Sequence, residues 1–253
     1  MRILVCSVTV CIVIFSSLVV SQTPSIPAAH LNRIGVSELQ NGNYVRSVQL
    51  LEEAAKLDPK NGLIHYNLGT AYFLSKNFEG ARRTLLTALE LDPHSAASLN
   101  QLAVTQMELG DYFGAVRSLR SALAEQPENA ISHYNLGCLY IRMQNFVSAI
   151  ESLERAKRLK STDPEIRINL AYAYGRRGKF SNAIVEARAM LDLTPEDSDA
   201  RRMLIVLYLL NRERTDALRE FQTIRLSGSP TDAWLRQLLF GKRIISIDDL
   251  GRK

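Results

Sequence analysis

The sequence predicts an all-α fold built from stacked helix pairs, and three observations predict it. A five-residue word, His65-Tyr66-Asn67-Leu68-Gly69, returns unchanged as His133-Tyr134-Asn135-Leu136-Gly137, an offset of 68 residues or twice 34. A register of 34 then aligns columns of constant residue character along the chain. Within each unit the apolar residues recur at helical spacing, as in Leu68 and Tyr72, then Phe78 and Leu85 after a break. A period of this size marks arrayed supersecondary units, each too small to bury its own apolar face.

The columns justify each element in turn. Units begin near Ala28, Gly62, Ala96, Ala130, Pro164 and Ser198. The seventh position is Ile34, Leu68, Leu102, Leu136, Leu170 and Leu204, the inward side of a first helix. The eighth is small in five units, Gly35, Gly69, Ala103, Gly137 and Ala171, and becomes Ile205 in the last. Turn residues follow: Gly42-Asn43, Lys76-Asn77, Gly110-Asp111, Gln144-Asn145 and Gly178-Lys179. A second helix then opens on an aromatic residue in five units: Tyr44, Phe78, Tyr112, Phe146 and Phe180. Its twentieth-position residue is Ser47, then Ala81, Ala115, Ala149, Ala183 and Ala217, small enough for helix axes to approach closely. Pro59, Pro93, Pro127 and Pro195 end it, with Ser161 the exception. Proline disfavours the α conformation of its predecessor and cannot continue the hydrogen-bond ladder.

This pattern resembles the tetratricopeptide repeat family, whose unit is two antiparallel helices. The resemblance covers residues 28–229, divided as 28–61, 62–95, 96–129, 130–163, 164–197 and 198–229. It implies a right-handed α-solenoid of about six helix pairs. Residues 230–241 read as a capping helix that covers the last unit with Trp234, Leu235, Leu238 and Leu239, and residues 242–253 as a tail.

The N-terminal segment differs in composition. Met1-Arg2 precedes the uncharged apolar run from Ile3 to Val20. A basic start, an apolar stretch and a small residue at its end describe a signal peptide over residues 1–21. The run is also long enough to stay as a signal anchor, with membrane attachment through residues 3–20. Either reading exports the rest of the chain, to a periplasmic or extracellular location. Residues 22–27, with Pro24 and Pro27, form a linker. Cys6 and Cys11 fall inside the apolar run, which leaves Cys138 alone in a processed chain, with no intrachain disulfide expected.

Across 253 residues, apolar residues make up 46% and charged residues 23%, a composition that supports a core and argues against bulk disorder. The formal charge of +5 is a mild excess, spread among acidic residues, so a nucleic-acid partner is not expected.

The resemblance implies that the first helix of each unit lines a concave groove. Its sixth position reads Arg33, Asn67, Gln101, Asn135, Asn169 and Met203. Four consecutive carboxamides there form either a ladder that grips the backbone of an extended peptide or inherited packing. Tyr66 and Tyr134, with Leu63 and Ile131, supply apolar pockets with polar tips. Arg142, Arg176 and Arg177 sit near first-helix ends, either to pair with a partner's carboxylate or as charges favoured by the helix dipole. The carboxylate clamp of chaperone-binding relatives is not carried over, because Val36, Ala97 and Gln101 depart from it.

No catalytic constellation is legible. His65 and His133 occupy one repeat position two units apart, and His30 and His94 lack partners at ligand spacing, so neither a metal nor another cofactor is expected. Cys138 reads as a small buried residue rather than a nucleophile. The expected function is an extracytoplasmic scaffold that holds a protein or extended peptide. The alternatives are a subunit that self-assembles through its terminal repeats and a non-catalytic arm of an envelope enzyme complex.

Overall fold

The computed structural model describes residues 26–226 and 233–241. The signal segment, the linker as far as Ser25 and the tail lie outside them. The described residues contain helices and no strand. In order these are α1 (Ile26–Gln40), α2 (Tyr44–Leu57), α3 (Gly62–Leu74), α4 (Phe78–Leu91), α5 (Ala96–Glu108), α6 (Tyr112–Glu125), α7 (Ala130–Arg142), α8 (Phe146–Leu159), α9 (Pro164–Arg176), α10 (Phe180–Leu193), α11 (Ser198–Leu210), α12 (Arg214–Leu226) and α13 (Ala233–Phe240). They form consecutive packed pairs, as the stacked-pair reading expects. The chain divides into two compact units, with the boundary between Ser132 and His133.

Each helix begins and ends for a local reason. The residue before a first helix caps it in five repeats. The side-chain oxygens of Asn61, Ser95, Asn129, Asp163 and Asp197 accept backbone N–H groups two or three residues on. Second helices α4, α6 and α8 are capped in the same way by Asn77, Asp111 and Asn145. The turn inside every pair bends at one repeat position, where Gly42, Lys76, Gly110, Gln144, Gly178 and Arg212 all have positive φ, between 57° and 80°. The next residue's N–H returns to the carbonyl five residues back, as in Asn77 to Tyr72 at 2.9 Å. That closes a left-handed helix end and satisfies otherwise orphaned carbonyls. Second helices end on one extended residue, Asp58, Asp92, Gln126, Lys160 or Thr194, with φ between −138° and −134°. Lys160 keeps this geometry although Ser161, not proline, follows it.

Small residues at the eighth position receive leucines from the paired helix. Leu51, Leu85 and Leu153 are fully buried against Gly35, Gly69 and Gly137. The twentieth position is buried throughout. Ser47 belongs there because its hydroxyl donates to the Gly35 carbonyl at 2.7 Å, so it is a packed residue of the first pair and not a defect in its end. In the second unit the last pair closes differently. Ile205 and Phe221 are buried in one cluster with Leu235, Leu238 and Leu239 of α13. These α13 residues cover the last repeat; the Trp234 side chain lies outside the described residues.

Candidate peptide-binding faces

The helix ends and the buried leucine seam fix which side chains of each first helix remain open. In the first unit, α3 leaves Leu63 56% exposed, with Tyr66 and Asn67 half-buried on the following turn. Asn67 Nδ2 donates to Asn32 Oδ1 of α1 at 2.9 Å, linking adjacent first helices, and Arg33 is exposed beside it. Gln101 is buried in α5.

In the second unit the carboxamides also go inside. Asn135 is 4% exposed and Asn169 is fully buried. Asn169 Nδ2 spends its hydrogens on the Glu165 carbonyl at 2.8 Å and on the Tyr134 hydroxyl at 3.3 Å. Tyr134 is itself buried, and Ile131 is half-buried. Gln101, Asn135 and Asn169 of the sixth-position column are thus all buried. Only Asn67 and Arg33 are open there.

Arg142 is half-buried. Arg176 is half-buried too, and aromatic rings hold it. Its guanidinium lies 5.0 Å from the Phe146 ring centre and 5.8 Å from that of Tyr172, and it donates to the Tyr172 hydroxyl at 3.0 Å. Such stacking orients a cation while leaving most of its donors outward.

The tyrosine column at the eleventh position has a role that the sequence reading missed. In three repeats the hydroxyl of this residue, Tyr72, Tyr174 or Tyr208, meets the residue twenty before it, on the second helix of the preceding repeat. Tyr72 donates to Glu52, Tyr174 donates to Glu154 at 2.9 Å, and Tyr208 accepts from Arg188. Burial, and then the Glu52 hydrogen bond, push the Tyr72 phenol up to about 12. Burial and Glu154 push Tyr174 up to about 12. The neutral phenols thus stabilise the fold below their ordinary pKa of 10.0, and that contribution is lost as pH rises towards 12. The spacing of Tyr to Glu or Arg was visible in sequence as a fixed offset.

Fourth-position side chains are also accounted for. His65 Nε2 lies 2.9 Å from the Pro59 carbonyl, Arg167 donates to the Ser161 carbonyl at 2.6 Å, and Arg201 donates to the Pro195 carbonyl. Each ties a first helix to the end of the preceding pair. Between α8, α9 and α10, Glu186 is buried and accepts from Lys157 at 2.8 Å and Arg167 at 3.0 Å. Burial alone pulls the Lys157 ammonium down, but its bonds to Glu186 and Glu154 outweigh that and raise it.

Cys138 is fully buried in α7. Among the described residues no group of three or more His, Cys, Asp or Glu is placed to hold a metal ion. Nor, among them, is any helix long and apolar enough to cross a membrane; residues 3–20 lie outside that set.

Two family models, each described as tetratricopeptide repeat, match the chain, one over residues 38–104 and the other over 100–164 and 168–233. No curated protein matches it by sequence. Among solved structures it is similar to PilF of Pseudomonas aeruginosa, at 19% identity and a TM-score of 0.72, over 86% of this chain and 98% of that one. It is also similar to a tetratricopeptide repeat protein of Parabacteroides merdae, at 21% identity and a TM-score of 0.66, over 84% of each chain. A third similar structure, YrrB, is described as a tetratricopeptide repeat protein with an unusual peptide-binding site, with 22% identity, a TM-score of 0.63 and coverage of 77% of this chain and 98% of that one. With its repeats matched along most of its length and its helix pairs alike in three dimensions, the chain belongs to the tetratricopeptide repeat family.

Proposed function

We propose that this protein is a non-catalytic scaffold that acts outside the cytoplasm and holds a polypeptide partner on its first-helix faces. The observation that carries the reading is the surface of α3. Leu63 is a large apolar side chain left 56% exposed, beside the half-buried Tyr66 and Asn67. An apolar anchor rimmed by a phenol and a carboxamide is the composition of interface centres, where one buried side chain carries most of the energy. Asn67 reaches Asn32, so its polar groups are already oriented for an incoming backbone. The peptide-binding site named for YrrB supports the same class of ligand. Export follows from the apolar run of residues 3–20.

The test is capture of the partner from native envelopes by crosslinking and mass spectrometry. Wild-type protein is compared with Leu63→Glu and Asn67→Ala, each checked for retained helicity by circular dichroism. Loss of one crosslinked polypeptide in Leu63→Glu is expected. Equal recovery by all three would move the interface off α3. Recovery of peptides from residues 1–21 would show that the apolar segment is retained.

A further inference from the structure

Within the second unit, charge is sorted between the two ends of the helix pairs. At the end formed by the loop between α10 and α11, Asp192, Glu196, Asp197 and Asp199 gather, and the nearby arginines are neutralised. Arg201 pairs with Glu220 at 3.0 Å and Arg202 pairs with Asp199. The opposite end, formed by the turns α9–α10 and α11–α12, carries Arg176, Arg177, Lys179, Arg212 and Arg214. All but Arg176 are exposed. Among the described residues none of these five has a carboxylate partner. Arg176 gives one N–H to the Tyr172 hydroxyl, and Arg214 one to the Leu239 carbonyl, which leaves the other donors of each. The acids nearby are Glu213, which accepts from Asn211, and Asp216, which is paired with Arg219 at 2.7 Å.

Lys179 puts a cation where α4, α6 and α8 have a capping residue. It occupies the position at which Asn77, Asp111 and Asn145 cap their second helices, and α10 has no side-chain cap. A cation there also opposes the positive end of the helix dipole. A residue that breaks a local rule without a compensating contact in its own fold points to a demand made from outside.

We infer that this edge is a docking surface for an acidic polypeptide segment. The inference rests on the reading of the chain as a polypeptide scaffold and names the chemistry of the segment. Arg176, set on its aromatic bed, orients one carboxylate; Arg177, Lys179, Arg212 and Arg214 attract the others and speed encounter. An anionic membrane fits less well. Phe146 and Tyr172 beneath Arg176 are tied down by it and not presented for insertion.

The experiment uses the full chain and a fluorescent peptide of alternating Glu and Gly, with a Gln and Gly peptide as control, read by anisotropy. The wild type is expected to bind the Glu peptide selectively, and about tenfold more weakly when salt rises enough to shorten screening to a few ångströms. Arg177→Glu/Lys179→Glu is expected to lose more than about tenfold in affinity, while Lys56→Glu/Lys60→Glu on α2 and the loop after it changes nothing. Lys179→Asn gives the sharper result. It restores the cap, so Tm is expected to rise by about 2–4 °C while affinity falls about threefold. Three results would overturn the inference: no binding by the wild type, equal binding by the charge-reversed variant, or binding to vesicles of phosphatidylglycerol that needs these cations while the peptide fails. If partner capture through α3 persists while the Glu peptide never binds, this inference fails and the scaffold reading stands.

Discussion

Gly137 and Leu153 fit as a hole and a knob: a Cβ placed on Gly137 would lie 2.5 Å from Leu153 Cγ and 3.4 Å from the Ala149 carbonyl. The third repeat has Ala103 opposite Leu119 at the same positions, so one methyl group can be accommodated when the leucine shifts. Gly137→Ala is therefore expected to change stability by less than about 1 kcal/mol, because the gain in helix propensity offsets the crowding. Gly137→Leu overpacks and is expected to cost about 1–3 kcal/mol. Adding Leu153→Ala to it should return part of that loss, since it removes the side chain that the new leucine meets. Urea melts of the four proteins decide the matter.

The turns offer a separate test of backbone chemistry. Gly110 has φ of 80° and nothing within 4 Å of where a Cβ would stand. Any cost of Gly110→Ala is therefore conformational, expected at about 1 kcal/mol. Lys76 and Gln144 hold the same conformation with side chains attached, at φ of 65° and 57°. Replacing either with glycine is expected to be neutral or stabilising by up to about 1 kcal/mol in thermal melts.

The repeat was legible because each column obeys one physical constraint. The eighth and twentieth positions must be small, the fifteenth must accept positive φ, and the residue before proline must leave the helix. The partner-facing side was less so. Asn67 and Asn169 share a column and a residue type, yet one is half-exposed and the other is sealed beneath Tyr134. Periodicity gives the direction of a side chain from its helix, not what the neighbouring repeat lays over it. Glu186 was hidden for the same reason, since its partners Lys157 and Arg167 come from two other helices.

Glu186 yields the third prediction. Its side chain is 8% exposed, and removing it leaves two cations facing each other with exposures of 23% and 20%. Glu186→Ala is expected to cost about 1–3 kcal/mol, below the range for fully buried pairs because water reaches both cations. Replacing Glu186, Lys157 and Arg167 together with methionine is expected to recover most of that loss. A triple variant as unstable as Glu186→Ala would show that shape, not charge balance, holds the junction.

His94 gives the pH dependence. Its Nδ1 lies 2.8 Å from Glu125 Oε1, and that hydrogen bond, with the attraction of the same carboxylate, raises the imidazole above the ordinary histidine value of 6.5. A raised pKa stabilises the fold below the unfolded value, and the contribution is lost as pH rises through the folded one. The pair is exposed, so the effect on unfolding is small and is best read by NMR titration. The His94 midpoint is expected above 6.5 in the wild type and nearer that value in Glu125→Gln. Equal midpoints would dissolve the pair.

Ser161 tests whether the missing proline matters. Lys160 before it has φ of −135° and ψ of 83°, close to the values of Asp92 and Gln126, which precede Pro93 and Pro127. The backbone is thus already set for proline at this point. Arg167 bonds the Ser161 carbonyl, which a proline would keep. Ser161→Pro is expected to stabilise the protein by about 0.4–1 kcal/mol by restricting the unfolded chain. A loss of stability instead would mean that the fourth repeat ends differently from its neighbours, and that the Arg167 contact depends on a freedom proline removes.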